Sequence, residues 1–319
     1  MTPERPTKEY LSSKHCWESV DRVGRDPSTT AFKRRARLQQ AVWRETMGIP
    51  IGTQPIRQKP GKHSRLLGSR IELGHALERG ANFLCPAAWK AAKDRQSRPE
   101  KHQNFYVDRL YADLLSSMPM CFNLFGPLSG DLTLASAAVR TWWPEAQGSV
   151  GAVRFEWSPG RRIRGKYLEN ASAFDVAFEL SLNGRRRGII GVETKYHEHC
   201  KVEKVPSDTR LRRYRRVTSE SGVFKTDALQ ALVGTHLQQI WLDHLLALSM
   251  VQDRDENWDW SKFILVYPER NPSFRKAAEE YLELLTDRST FAACTIESIL
   301  DAGALPPEIT EAFRGRYLW

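Results

Sequence analysis

AFDVAFELSLNGRRRGIIGVETKY, residues Ala173–Tyr196, decides the fold. Phe174, Val176, Phe178, Leu180 and Leu182 alternate with Asp175, Ala177, Glu179 and Ser181, the period of two expected of a strand with one apolar face. Asn183-Gly184 supplies turn chemistry. Gly188–Tyr196 then reads as a second strand, with Ile190 and Val192 on one face and Glu193 and Lys195 on the other. Whether Asp175 joins that charged pair depends on the hairpin. A two-residue turn sets Asp175 against Val192, on the wrong face. A loop of three or five residues (Asn183–Arg185 or Asn183–Arg187), or one bulge, brings all three charges together. The apolar faces agree with that register, since Phe174 and Val176 then lie alongside Ile190 and Val192. An odd-numbered loop is therefore expected.

Two carboxylates that converge in this way bind a hard cation such as Mg²⁺ through oxygen, and a neighbouring lysine can polarise the attacking water and neutralise charge on a phosphoryl group. The plain alternative is a set of cross-strand salt bridges on a solvated face.

Outward from this hairpin, Val153, Phe155 and Trp157 share one face of a strand over Ala152–Trp157, with Arg154 and Glu156 on the other and Pro159-Gly160 ending it. Val202–Gly222 reads as a polar, Arg-rich loop. Thr226–Met250 has the spacing of a long helix with Thr226 and Asp227 as caps. Lys262–Tyr267 is an apolar strand closed by Pro268, Ala293–Ile296 is β-like, and Pro272–Leu285 and Pro307–Tyr317 read as helices. Toward the N-terminus, Met1–Thr30 has no apolar period and reads as a frayed arm. Thr30–Met47 reads as a basic helix, Gly48–Ser64 as a loop, Leu66–Leu77 and Pro86–Arg95 as helices, and Asn104–Met118 as a helix running into an aromatic turn at Cys121–Leu128. The order gives an α/β fold with a mixed central sheet flanked by helices, divided into a basic N-terminal arm and helical extension (1–100) and a core (101–319).

The formal charge of +10 is unevenly placed. Met1–Arg70 holds fifteen basic and six acidic residues, Gly151–Lys225 seventeen and nine, and Val251–Trp319 eight and thirteen. Two basic segments suit a polyanion such as nucleic acid; solvated charge is the alternative. Five scattered cysteines with no Cys-x-x-Cys pair fit reduced thiols in the cytoplasm. No apolar run is long enough for a membrane span, so no membrane partner is expected. His197, Glu198, His199 and Cys200 hint at zinc, but no second ligand cluster accompanies them.

At the level of motifs the chain resembles the PD-(D/E)XK nuclease superfamily, specifically a restriction-endonuclease-like bacterial family. The segments that carry the likeness are SSMPMCFNLFGPL (Ser116–Leu128), RFEWSPGRR (Arg154–Arg162), AFDVAFEL (Ala173–Leu180), VETKYHE (Val192–Glu198) and QQIWLDHLLA (Gln238–Ala247). Phe174 stands where the proline that names the superfamily would be. The resemblance implies Asp175, Glu193 and Lys195 as catalytic residues, with Asp175 and Glu193 binding Mg²⁺ or Mn²⁺. Glu156 is either a further acid of the site or a surface glutamate. Gln239, or its neighbour Gln238, is either near the site or a helix-surface amide. Asn123 with Phe122 and Phe125 lies near the site or forms a packed turn. Arg161, Arg162, Arg164, Arg212, Arg213, Arg215 and Arg216 are expected to contact the phosphate backbone. The implied function is an endonuclease on DNA in defence or repair, and a homodimer would suit cleavage of both strands. The alternatives are a catalytically silent nucleic-acid-binding module and a subunit of a larger restriction or transposition complex. No P-loop motif is present, so any ATP-driven step belongs to another protein.

Overall fold

The computed structural model describes residues 6–18, 21, 27–54, 65–103, 105–253 and 255–319, with backbone alone for 27–29. The N-terminal part contains α1 (Lys8–Ser13), α2 (Pro27–Thr46), the antiparallel ribbon of β1 (Ile51–Thr53) and β2 (Leu66–Ile71), and α3 (Leu73–Arg79). Next come α4 (Pro86–Gln96), α5 (Val107–Tyr111), α6 (Ser117–Ser129) and α7 (Leu132–Trp142). The sheet is then laid down by β3 (Ser149–Trp157), β4 (Phe174–Ser181) and β5 (Arg187–Thr194). A helical crossover of α8 (Asp208–Ser221), α9 (Ala228–Leu232) and α10 (Gln238–Gln252) leads to β6 (Trp258–Tyr267). The chain closes with α11 (Pro272–Leu282), β7 (Phe291–Thr295), α12 (Ile296–Asp301) and α13 (Pro307–Tyr317).

The five strands run in the order β3-β4-β5-β6-β7, antiparallel across β3, β4 and β5 and parallel from β5 to β7. Parallel neighbours need a crossover, which α10 supplies between β5 and β6. The sheet is covered on both faces, so its central strands are apolar on both sides. Ile190, Val192, Ile264 and Val266 enter one hydrophobic cluster with α4, α6 and α7, while Ile189, Phe263 and Leu265 enter another with α8, α10 and α11. The first cluster takes Ala36, Ile71 and Ala91 together with Leu124, Phe178 and Phe313, so residues on both sides of position 100 share it.

The hairpin has the expected odd loop. Val176 pairs with Val192 and Ser181 with Arg187, and the Leu182 amide still donates to the Arg186 carbonyl at 3.0 Å. Three residues, Asn183–Arg185, remain in the turn, with Gly184 at φ +75°. That left-handed angle is the one glycine takes without strain.

Several expectations are corrected. Val202–Gly222 contains α8, because Leu211, Tyr214, Val217 and Thr218 recur on one buried face between the arginines. Cys121–Leu128 is helical, within α6; it is buried on nearly all sides, so it lacks the polar stripe by which a helix is recognised. Leu66–Leu77 divides into β2 and α3 at Glu72, whose carboxylate caps the Gly74 and His75 amides. Thr226–Met250 is broken between α9 and α10, with Gly234 at φ +71° in the break. The Asp227 cap position makes no side-chain cap bond. α1 lies in the supposed frayed arm and β1 in the supposed loop; residues 55–64 of that loop lie outside the described residues.

Candidate active site

The ends of β3, β4 and β5 bring three acids into register. Phe155 pairs with Val176 and Trp157 with Phe174, which puts Glu156 opposite Asp175. One step past Val176↔Val192, Asp175 stands opposite Glu193. Asp175 Oδ2 accepts from the Thr194 amide at 2.8 Å and the Thr194 hydroxyl at 2.7 Å. Glu193 Oε1 accepts from Lys195 Nζ at 2.6 Å and Gln239 Nε2 at 3.0 Å. Gln239 occupies the first turn of α10, so the crossover helix delivers it to the acid. Its neighbour Gln238 is used elsewhere, bonding Gly234 and Lys204 backbone.

Two backbone features shape the row. Glu156 sits at φ +49°, a left-handed conformation one residue before the end of β3, which costs roughly 1–3 kcal/mol for a residue with a side chain. Arg95 and Arg161 hold it there, donating to its carbonyl at 3.1 and 3.3 Å, while Arg95 Nε also bonds the Phe155 carbonyl at 2.8 Å. As a result the alternation breaks at this point: Phe155 enters the first cluster and Trp157 packs on the second. Phe174 likewise joins the second cluster, not the Val176 face expected of it. It lies across Gly191, where an added Cβ would come within 2.2 Å of its ring.

The electrostatics are those of acids crowded out of water. Burial, then Asp175 and Glu193, push the Glu156 carboxyl up to about 8, against the pull of Arg109 and Arg95. Burial and Asp175 push Glu193 up to about 7, against Lys195. Burial alone would lower the Lys195 ammonium, but Glu193, Glu198 and Asp175 outweigh it and hold it above its ordinary value. At Glu193 the Lys195 ammonium thus faces several carboxyls. Beneath them, Asp243 on α10 is 6% exposed, and its Oδ2 has no hydrogen-bond partner among the described residues. Burial and Glu193 push it well above the usual carboxyl range.

Of the expected residues, Asp175, Glu193, Lys195, Glu156 and Gln239 gather here. Thr194, Arg109 and Asp243 were missed. Asp243 lies one turn from Gln239, and that i, i+4 spacing was the available signal. Asn123 belongs to a packed interior: it bonds Asn82, Tyr317 and Leu84, while Phe122 stacks on Phe155 at 4.4 Å. His197 bonds the Leu115 carbonyl and His199 meets Lys33, so the two do not join in a zinc set.

The seven arginines divide. Arg161 is committed to Glu100 and to the Ala171 and Glu156 carbonyls, and Arg213 to Glu169 and to the Tyr167 and Gly165 carbonyls. Arg162, Arg164, Arg212, Arg215 and Arg216 are exposed. Arg213 and the Asn170–Tyr214 bond fasten the β3–β4 loop to α8, so the two basic segments form neighbouring surface.

As a cation site the row is open. Asp175 Oδ1, Glu193 Oε2 and the Glu156 carboxyl take no hydrogen bond among the described residues. No three His, Cys, Asp or Glu residues among them form a ready metal cage. Oxygen donors of this kind fit a hard divalent cation that keeps several waters. No helix among the described residues is long and apolar enough to cross a membrane.

A model of the PD-(D/E)XK nuclease superfamily matches residues 27–319. No curated protein and no solved structure matches the chain.

Proposed function

The chain belongs to the PD-(D/E)XK nuclease superfamily, and from that premise we propose that it is a divalent-metal-dependent endonuclease that hydrolyses phosphodiester bonds in DNA, with a role in defence or repair. The observation that carries the reading is the joint geometry of Asp175 opposite Glu193 and Lys195 held on Glu193 at 2.6 Å. Asp175 and Glu193 are the metal ligands, with Glu156 beside them. A bound Mg²⁺ or Mn²⁺ would polarise the phosphate and neutralise its charge.

The chain's own residues do the rest. Thr194 fixes one oxygen of Asp175 and leaves the other for the ligand set. Gln239 and Lys195 fix one oxygen of Glu193 in the same way. The Lys195 ammonium, kept protonated by the acids around it, holds the attacking water and stabilises charge developing on the phosphoryl oxygens. The exposed arginines of the β3–β4 loop and α8 contact the substrate backbone away from the reacting phosphate. All five cysteines are free, which suits the reducing cytoplasm.

The test is cleavage of a supercoiled plasmid with Mg²⁺ or Mn²⁺, with and without chelator. Metal-dependent nicking or linearisation is expected of the wild type, and direct linearisation would point to a homodimer. DNA binding with no metal-dependent cleavage in the wild type would overturn the enzyme reading in favour of a silent binding module.

A further inference from the structure

Arg109, on α5, is held by hydroxyls at the start of α6. Its Nε donates to Ser116 Oγ at 2.9 Å and its Nη2 to Ser117 Oγ at 3.5 Å. Both serines are buried. The Ser117 carbonyl in turn accepts from the Thr194 hydroxyl at 3.5 Å, and that hydroxyl donates to Asp175 at 2.7 Å. Arg109 is therefore fastened to the same wall that orients Asp175. Its charge also reaches Glu156, whose carboxyl it pulls down against burial and the neighbouring acids. Lys195 thus serves the acid of β5 and Arg109 the acid of β3.

The two cations are used differently. Lys195 is largely buried and paired with Glu193. Arg109 is exposed, and its guanidinium makes no ion pair among the described residues. Asp108 and Asp113, the acids that flank it in sequence, are both taken by Arg70. Arg95 and Arg161, the other guanidinia beside Glu156, are largely buried and spent on Glu100 and on backbone carbonyls. An arginine kept for structure is bound in that manner. Two neutral hydroxyls instead orient Arg109 without cancelling its charge, and its Nη1 takes no hydrogen bond among the described residues. A planar guanidinium fixed along one edge and open along another suits the oxygens of a phosphate.

Resting on the nuclease reading above, we propose that Arg109 is a substrate-binding residue that takes the backbone phosphate next to the one that is cut, on the Glu156 side of the metal ligands. Glu156 and Glu193 stand two strands apart, roughly 10 Å, too far for one phosphate to span the cations that serve them. Lys195 and the metal act on the reacting phosphate, and Arg109 fixes its neighbour. The contact is made equally in the ground state and the transition state, so it sets KM and not kcat.

The test is steady-state cleavage of a short DNA duplex with Mg²⁺, with circular dichroism to check that each variant is folded. Arg109→Ala should raise KM by about tenfold and leave kcat within about twofold. The slope of log affinity against log salt, measured on the same duplex in chelator, should shrink by about one. Arg109→Lys keeps the charge but not the fork that the serines hold, and should recover part of the lost KM. A fall in kcat with KM unchanged would put Arg109 to work on the acids and not on the substrate. An unchanged KM and salt slope would take it out of the site altogether. Either result overturns this contact while metal-dependent cleavage stands, whereas absence of cleavage by the wild type on every substrate would remove the nuclease reading and the contact with it.

Discussion

Two buried polar assemblies lie on either side of Tyr196, and they are built to opposite ends. On one side Arg316, fully buried, is met from every direction. Its guanidinium bonds Gln40 Oε1 at 3.1 Å, the Asn82 carbonyl at 2.7 Å and the Asn82 side chain, and lies 4.3 and 4.6 Å from the Trp43 and Tyr317 ring centroids. Gln40 in turn bonds the Tyr196 hydroxyl. On the other side, Glu156 and Glu193 are raised by burial and then by the carboxylates beside them, and Asp243 keeps an oxygen with no partner among the described residues. The fold completes the first assembly and leaves the second electrostatically unbalanced. A fully satisfied network fixes structure; a strained and crowded one marks a place where a ligand completes the balance.

The comparison can be broken at four points. The largest effect is expected at the open assembly: Lys195→Ala or Asp175→Ala should lower metal-dependent plasmid cleavage by about a thousandfold, with circular dichroism unchanged. Next, Arg316→Ala should lower unfolding stability by about 3 kcal/mol in urea melts, because it leaves the Gln40 and Asn82 acceptors buried and unpaired. If Arg316→Ala costs nothing and Lys195→Ala unfolds the protein, the two assemblies have been assigned the wrong roles.

The third point is pH. Glu193 and Glu156 rise from 4.5 to about 7 and about 8 on folding. Between those limits the folded protein therefore holds protons that the unfolded chain has released. Their contribution is fully present below pH 4.5 and is lost as pH rises through about 7 and 8, so the metal-free protein loses stability over that window. Mg²⁺ should accordingly raise the melting temperature more at pH 8 than at pH 5.5. An equal shift at both values would separate metal binding from these acids. The smallest effect belongs to Asp243→Asn, which removes a crowded acid but keeps its shape. Stability of the metal-free protein at pH 8 should change by no more than about 1 kcal/mol, toward greater stability.

The sequence made the sheet legible because Val176–Leu180 and Ile190–Val192 alternate cleanly, although the alternation fails at Glu156 and at Phe174, and the odd hairpin loop follows from requiring Asp175 and Glu193 to meet. Helices were harder where their stripe was masked. The arginines of α8 hide Leu211, Tyr214 and Val217, and α6 is too thoroughly buried to show a polar face. Within the site, Asp175, Glu193, Lys195, Glu156 and Gln239 were legible from charge on strand faces and from motif resemblance. Asp243 was not, because a lone acid in an apolar helix carries no period; only the packing of α10 on β5 reveals it. The left-handed turn at Glu156 was equally hidden, since nothing in an alternating strand announces a residue held by Arg95 and Arg161 from elsewhere in the chain.

The central claim is that the unbalanced acids are a cation site, and calorimetric titration of the metal-free protein with Mn²⁺ at pH 8 tests it most directly. Saturable binding that is lost in Asp175→Asn and Glu193→Gln but kept in Arg316→Lys is the predicted result. Binding that survives both acid substitutions, or no binding by the wild type, would contradict it.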